Sequence, residues 1–461
     1  MEPPAVSLVS DIGVKRKSLA VIRPEKRRKR YSLFLSNFDQ KFVGYVTTFV
    51  HMFSGNQEID FDAIIYLHTE ALRRMLDFYD FISGRLTLNT EQRRFEIDCN
   101  AAGVPLAICA SELTLEEMGD VTYPNSAFTQ LCLMPESTNQ ISEEDHLMSF
   151  QVTRFRCGGF AVGTAVNHCL VDGFALHEFA SNFAHLIRKG DVAFLPVIDR
   201  TCLKARVPLQ IKYEHEELMK PSQLGSDSSP FMQRNLDLVP NKMALEKHVF
   251  KLFSLSGKML DLLKLKAKEG GVSHCTSFIV ALAHLWRTRT AAMANINAND
   301  ITIVQYFVDI RSKMRPPLPR EYVGNAIKAA YAKATAKELQ EQQFYETVKK
   351  LEEAGNRLTD EYLRSTIDWL ELHDGVMRLE NGFLATSLTH MEYEDIQIVK
   401  GVKSIYAGPV ISGTVDLVVF MADPKDKAGI KIFIALEPSN MARFQLLFKD
   451  VDSDRAVRSN L

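Results

Sequence analysis

This 461-residue chain lacks most of the short signals that announce a chemistry. Its seven cysteines (99, 109, 132, 157, 169, 202 and 275) are odd in number, widely spaced and include no CxxC pair. That argues against a disulfide framework and reads as reduced, mostly core thiols of a cytosolic protein. No HExxH and no paired Cys/His spacing occurs, so no metal site is expected. No GxGxxG and no Walker loop occurs either, which removes nucleotide-phosphate cradles of those kinds. Charge of one sign is missing too: 55 Lys and Arg face 57 Asp and Glu, a formal net charge of −2. Such a balance offers no global attraction to nucleic acid or to an anionic membrane, and neither is expected as a partner. No apolar run approaches the length of a membrane span, and Met1 to Ser10 lacks a signal-peptide layout. The expectation is a cytoplasmic protein.

What remains is the composition of an ordinary globular protein, 46% hydrophobic and 24% charged, at a length that suits two domains. Residues 1–30 stand apart as a basic, flexible segment. Lys15-Arg16-Lys17, an eight-residue spacer and Lys26-Arg27-Arg28-Lys29-Arg30 resemble a bipartite nuclear-localisation signal. A solvated basic flank is the plainer account of the same residues. Residues 31–200 and 246–461 each mix strand and helix patterns, so the fold class is α/β. The stretch 201–245 between them, punctuated by Pro208, Pro221 and Pro230, reads as a crossover linker. In the first half the pattern predicts paired strands over 31–53, a helix over 59–80 and a strand over 94–99. In the second it predicts a strand at 248–255, helices at 259–268 and 276–290, and a strand at 301–309. Helices near 336–356 and 358–371 follow, then strands at 382–389, 414–422 and 430–436.

The most informative stretch is GGFAVGTAVNHCLVDG, from Gly158 to Gly173. Phe160, Val162 and Val166 alternate with Ala161, Gly163 and Ala165, a period of two with one bulkier and one tighter face. The small residues would let another backbone or a ligand come close. The strand ends at Asn167-His168 and turns to Asp172-Gly173. Asp172 is a good N-cap for a helix in which Leu176, Phe179, Phe183 and Ile187 recur at helical spacing. A histidine therefore stands where a buried strand gives way to a helix. Cys169 beside it has no visible activating partner and reads as a packed thiol.

His168-Cys169-Leu170-Val171-Asp172-Gly173 matches HxxxDG and resembles the signature of the plant BAHD acyl-CoA-dependent acyltransferases. The resemblance extends in order from YSLFLSNFDQ (31–40) through FISGRL (81–86), RFEIDCNAAGV (94–104), QVTRFRCGG (151–159) and DRT (199–201). It continues through HCTSFIVALAHLWR (274–287), VDIRSKMRPPLP (308–319) and GNA (324–326) to YAGP (406–409). It implies two similar-sized mixed-sheet α/β domains of the chloramphenicol-acetyltransferase-like type, with an active-site channel between them, in a monomer. It implies an acyl-CoA co-substrate, a small-molecule acceptor, no permanently bound cofactor, and His168 as general base. By the same resemblance Asp172 pairs with Arg311, and with Asn325 and Gly173 gives the site structural support. The donor is expected to be hydroxycinnamoyl or aliphatic and the acceptor a hydroxyl, the reaction an O-acyl transfer.

One signature is altered. Where the family carries DFGWG, this chain reads Gln397-Ile398-Val399-Lys400-Gly401, and the upstream S-W-T element is Ser387-Leu388-Thr389. Lys400 and Thr389 are the candidate oxyanion or substrate contacts, and losing one oxyanion donor costs about 10²–10³ in rate. The change leaves a second reading open, a catalytically weak or inactive accessory protein of a lipid or phenolic pathway. Lys264, Lys266, Lys268, Arg287 and Arg289 are candidate cations for the phosphates of CoA.

Overall fold

The computed structural model describes residues 9–26, 28–55, 60–121, 123, 125–135, 142–220, 247–373, 375–390, 402–410 and 415–449. In chain order the first elements are β1 (Lys15–Ile22), β2 (Tyr31–Phe34), α1 (Asn37–Gln40), β3 (Val46–Phe53), α2 (Phe61–Met75), β4 (Arg85–Asn89), β5 (Arg94–Cys99) and β6 (Val104–Ser111). Then come β7 (Met148–Phe155), β8 (Phe160–Asn167), α3 (Gly173–Lys189), β9 (Leu218–Met219), β10 (Val249–Leu255), α4 (Gly257–Glu269), α5 (Ser277–Ala292), β11 (Ile301–Asp309) and β12 (Ile327–Thr335). The remainder are α6 (Ala336–Glu341), α7 (Phe344–Asn356), α8 (Asp360–His373), β13 (Val376–Met377), β14 (Phe383–Ser387), β15 (Ser404–Pro409), β16 (Leu417–Asp423), β17 (Asp426–Leu436) and α9 (Pro438–Phe448).

These elements form two compact units, neither continuous in sequence. The first comprises the described residues of Met1–Lys204, Pro319–Ala326 and Met391–Ser412; the second those of Ala205–Leu318, Ile327–His390 and Gly413–Leu461. The first unit holds a six-stranded sheet in the order β1-β6-β7-β8-β3-β15 and a smaller sheet β2-β5-β4. Only β6 and β7 pair in parallel in the larger sheet. α2 and α3 pack on each other. Asp60 caps the start of α2 by accepting the N–H groups of Asp62 and Ala63, and Asp172 caps α3 by accepting that of Ala175. Gly190 ends α3 in the left-handed conformation that glycine adopts without strain.

Strand β8 lies inside the sheet and is buried along almost its whole length, as its apolar alternation with small residues requires. Its Gly163 meets the backbone of the 3-10 turn Ser126–Leu131. A Cβ at that position would stand 1.9 Å from the Leu131 carbonyl oxygen. The expected close approach of another backbone is therefore real, and it seats that turn against the sheet.

The second unit holds the sheet β10-β17-β16-β14-β11-β12 and the small pair β13-β9. Helix α5 packs against α4, α7 and α9, and Trp286 on α5 is fully buried. Residues 205–212 are tied to α8 through Asp368. This buried carboxylate accepts Nε of Arg206 at 2.7 Å and the N–H groups of Arg206 and Gln210 at 2.8 and 2.9 Å.

The structure differs from the sequence expectation in two places. Residues 31–53 do not form one strand pair: β2 and β3 lie in different sheets, separated by α1. Ser36 and Asp39 make a capping box that forces this helical turn between them. The basic flank is not a loose tail at Lys15–Ile22, where β1 pairs with β6 at the sheet edge and its Lys and Arg residues face solvent. Charged residues on an edge strand discourage pairing with other chains. Farther along the same flank, Arg30 meets Asp98 through two bonds of 2.7 Å and Arg28 approaches Asp80 at 3.8 Å. A stretch without a sequence expectation, Ile327–Thr335, is strand β12 although its alanines favour helix. Nine paired residues on β11 override that weak local preference.

Candidate active site

His168 follows directly from the end of β8. Its N–H donates to the Tyr45 carbonyl at 2.7 Å, just ahead of β3, and Leu170 closes the turn on the Asn167 carbonyl at 3.0 Å. The imidazole stacks on Phe42, with ring centroids 4.3 Å apart, and Tyr45 lies tilted beside it at 5.9 Å. The ring is half-buried. Burial holds the imidazole below its ordinary pKa, with Asp172, its own carbonyl, Asn325 and Asp39 pulling the other way. At neutral pH it is therefore a free base.

Asn325 settles which nitrogen is free. Its side-chain NH₂ donates to the Asp39 carboxylate at 3.0 Å and to the His168 carbonyl at 2.8 Å. Both partners are acceptors, so the amide oxygen is the atom that faces His168 Nδ1, at 3.1 Å. Nδ1 therefore carries the proton and donates, leaving the lone pair on Nε2. That arrangement suits an imidazole that takes a proton from a group presented at Nε2.

The carboxylate of Asp172 accepts two backbone N–H groups, Ala175 at 2.8 Å and Ala326 at 2.9 Å. It fixes the start of α3 and docks the segment that carries Asn325. Gly173 is the first residue of α3. Cys169 is fully buried and burial pushes its thiol up, which fits a packed side chain rather than a nucleophile.

His168, Asp172, Gly173 and Asn325 thus meet in the first unit. Arg311 and Thr389 belong to the second. Arg311 is buried in the turn after β11, where its own N–H and its Nη1 donate to Asp309 at 2.9 and 3.2 Å. Thr389 follows β14, its hydroxyl 2.9 Å from that of Ser387. Lys400 lies outside the described residues. Two of the candidate phosphate cations are corrected: Arg287 and Arg289 are buried on α5. Their Nη1 groups donate to the carbonyls of Gln342 and Asn381, which suits helix packing rather than a surface phosphate.

Sequence reasoning assigned no role to Asp39 or Arg200, although both lie in stretches it singled out. Both are completely buried and pair at 3.2 Å. Arg200 also donates to the carbonyls of Cys169 and Leu170, at 2.9 and 2.7 Å, the two residues after His168. Burial alone would lower the guanidinium pKa, but Asp39, Tyr322 and Cys169 together outweigh it and the net direction is upward. The signal available was the pair of charged residues inside otherwise apolar or turn-forming segments.

The family model described as "Transferase family" matches residues 12–451. Acyltransferase GLAUCE of Arabidopsis thaliana is 35% identical over 454 residues, covering 96% of this chain and 97% of that protein. Omega-hydroxypalmitate O-feruloyl transferase of the same plant is 28% identical, covering 95% and 93%. Among solved structures, vinorine synthase has a TM-score of 0.71 at 18% identity, covering 93% of this chain and 96% of that one. TRI101 of F. sporotrichioides, complexed with coenzyme A and T-2, has a TM-score of 0.72 at 14% identity, covering 90% and 97%. These two share the fold. Among the described residues no helix is long and apolar enough to cross a membrane. No group of three or more His, Cys, Asp or Glu there is arranged to hold a metal ion.

Proposed function

Because the chain belongs to the BAHD acyltransferases of the Transferase family, we propose that it moves an acyl group from coenzyme A to an acceptor hydroxyl with His168 as general base. The observation that carries this reading is the 3.1 Å contact between His168 Nδ1 and the Asn325 amide oxygen, which commits that nitrogen as donor and leaves Nε2 to take a proton. A thioester is already activated, so no covalent intermediate on the protein is needed. Nε2 takes the hydroxyl proton as the acceptor oxygen attacks the thioester carbonyl carbon. The tetrahedral oxyanion then collapses, the C–S bond breaks, and the proton passes from the imidazolium to the departing thiolate. Products are an ester and free CoA.

In this reading the acyl-CoA is a co-substrate and no resident cofactor is required. Asp172 pairs with Arg311, as the family pattern implies, and Thr389 and Lys400 are the candidate donors to the oxyanion. The coenzyme A bound to TRI101 supports the donor, and the name of the omega-hydroxypalmitate feruloyl transferase supports hydroxycinnamoyl or aliphatic chemistry. A monomer acting in the cytoplasm completes the proposal. The basic run from Lys15 to Arg30 is the feature that would favour the nucleus. The altered stretch Gln397 to Gly401 favours the second reading, a weakly active partner protein.

Free-thiol release from a panel of acyl-CoAs and hydroxyl acceptors tests the choice. Turnover that falls about 10²–10⁴-fold in His168→Ala, with folding kept, supports the base. Thiol release indifferent to that change rejects it, and no release from any pair favours the partner protein.

A further inference from the structure

Beside its own carbonyl, groups outside its loop bear on the tautomer of His168. The orientation of the Asn325 amide depends on what its NH₂ meets, and one of the two acceptors there is the Asp39 carboxylate. We propose that Asp39, clamped by Arg200, is a positioning residue that holds His168 in the Nδ1–H tautomer by orienting the side-chain amide of Asn325. This rests on the general-base reading of His168.

Asp39 is surrounded by donors. One oxygen accepts the Asn325 N–H at 2.8 Å and its NH₂ at 3.0 Å. The other accepts the Ser36 N–H at 2.8 Å, the Ser36 hydroxyl at 2.7 Å and Arg200 Nη1 at 3.2 Å. With only donors around it, the side chain acts as an acceptor through both oxygens. Flipping the Asn325 amide would turn its oxygen toward Asp39 Oδ1 and the His168 carbonyl, two acceptors in a fully buried place. It would also turn NH₂ toward Nδ1 and draw the proton to Nε2, where it blocks base catalysis. Arg200 balances the buried charge of Asp39 and, through the carbonyls of Cys169 and Leu170, holds the chain just past His168. One ion pair therefore governs both where the ring sits and which nitrogen is free. The titratable and charged groups about the ring in this unit are Asp39 of α1, Tyr45 ahead of β3, Asp172 at the start of α3 and Arg200.

The test uses the full chain labelled with ¹⁵N in its histidine rings, with His168→Ala identifying the His168 signals. At pH 8 the wild-type ring is expected to show a protonated Nδ1 and an unprotonated Nε2; a proton on Nε2 overturns the proposal without any further variant. Asp39→Asn is expected to move the His168 signals toward the other tautomer and to lower kcat at least about tenfold, a part of what a general base supplies. The KM for acyl-CoA should stay within about twofold. The acid limb of its kcat/KM profile should move to lower pH, because the imidazolium loses both an acceptor at Nδ1 and a nearby negative charge. A drop in kcat with the acid limb and the ring signals unmoved is the signature of a merely structural residue and rejects the proposal. Turnover retained by His168→Ala would instead sink the general-base reading, while the ring spectrum would still report the tautomer.

Discussion

Acidification should weaken the first unit in good part through one buried side chain, His68. This residue sits on α2, 3% exposed, its Nδ1 donating to the Ile64 carbonyl at 2.8 Å and its ring 5.9 Å from that of Phe183. Nε2 is buried without a hydrogen-bond partner among the described residues. Burial pushes the imidazole down from 6.5 to about 4. The unfolded chain then binds more protons than the folded one between those two values, so stability rises with pH there. The contribution is fully present above pH 6.5 and is lost as the pH falls toward about 4. At ~1.4 kcal/mol per pH unit the total is about 3 kcal/mol, of which about 2 kcal/mol is gone by pH 5. For a unit of this size that is a fall of roughly 4–8 °C in Tm. Scanning calorimetry of the full chain and of His68→Leu at pH 8, 7, 6 and 5 measures it. Leucine fills similar space and does not titrate, so the wild type should lose the extra stability and the two curves should diverge as the pH falls. Parallel curves would refute the reasoning. His51, lowered to about 3 by burial and then by His68, leaves a residual slope of the same sign in the variant.

Three further outcomes are expected. Asn325→Ala removes the acceptor at the His168 Nδ1 contact and should shift the acid limb of kcat/KM to lower pH, read from a pH-rate profile. Gly163→Ala puts a methyl group against the Leu131 carbonyl and should cost about 1–3 kcal/mol, or more if the turn cannot yield, read from the lower unfolding transition. Asp368→Ala removes the acceptor of Arg206 Nε and of two backbone N–H groups while Arg206 keeps Glu361, a loss of about 1–3 kcal/mol, and limited proteolysis should then cut near residues 205–212 before the rest of the second unit.

Much of the site was legible because local chemistry dictates it. Apolar alternation from Phe160 to Val166 marks a buried strand, and Asp172 is a cap wherever a helix follows. The α/β class and the position of His168 at a strand end follow from those patterns alone. What could not be read depends on residues distant along the chain. Nothing in IKAAYAKAT distinguishes strand from helix until β11 offers it partners. Nothing near Asn325 says that its amide lies between Asp39 and His168. Asp39 and Arg200 gained no role from sequence because a buried ion pair leaves no periodicity. The tightness at Gly163 was readable as a small face, but not which backbone would fill it.

The segment Pro319–Ala326 returns to the first unit late in the chain, bringing Asn325 to His168 and the Ala326 N–H to Asp172. During synthesis on the ribosome, therefore, the imidazole emerges long before the amide that orients it. The sheet that carries it gains its last strand only once Pro409 has been made. A nascent chain released early would present a nearly finished sheet with an unsteered histidine, so catalytic competence arrives as one of the final events of translation rather than with the motif that marks it.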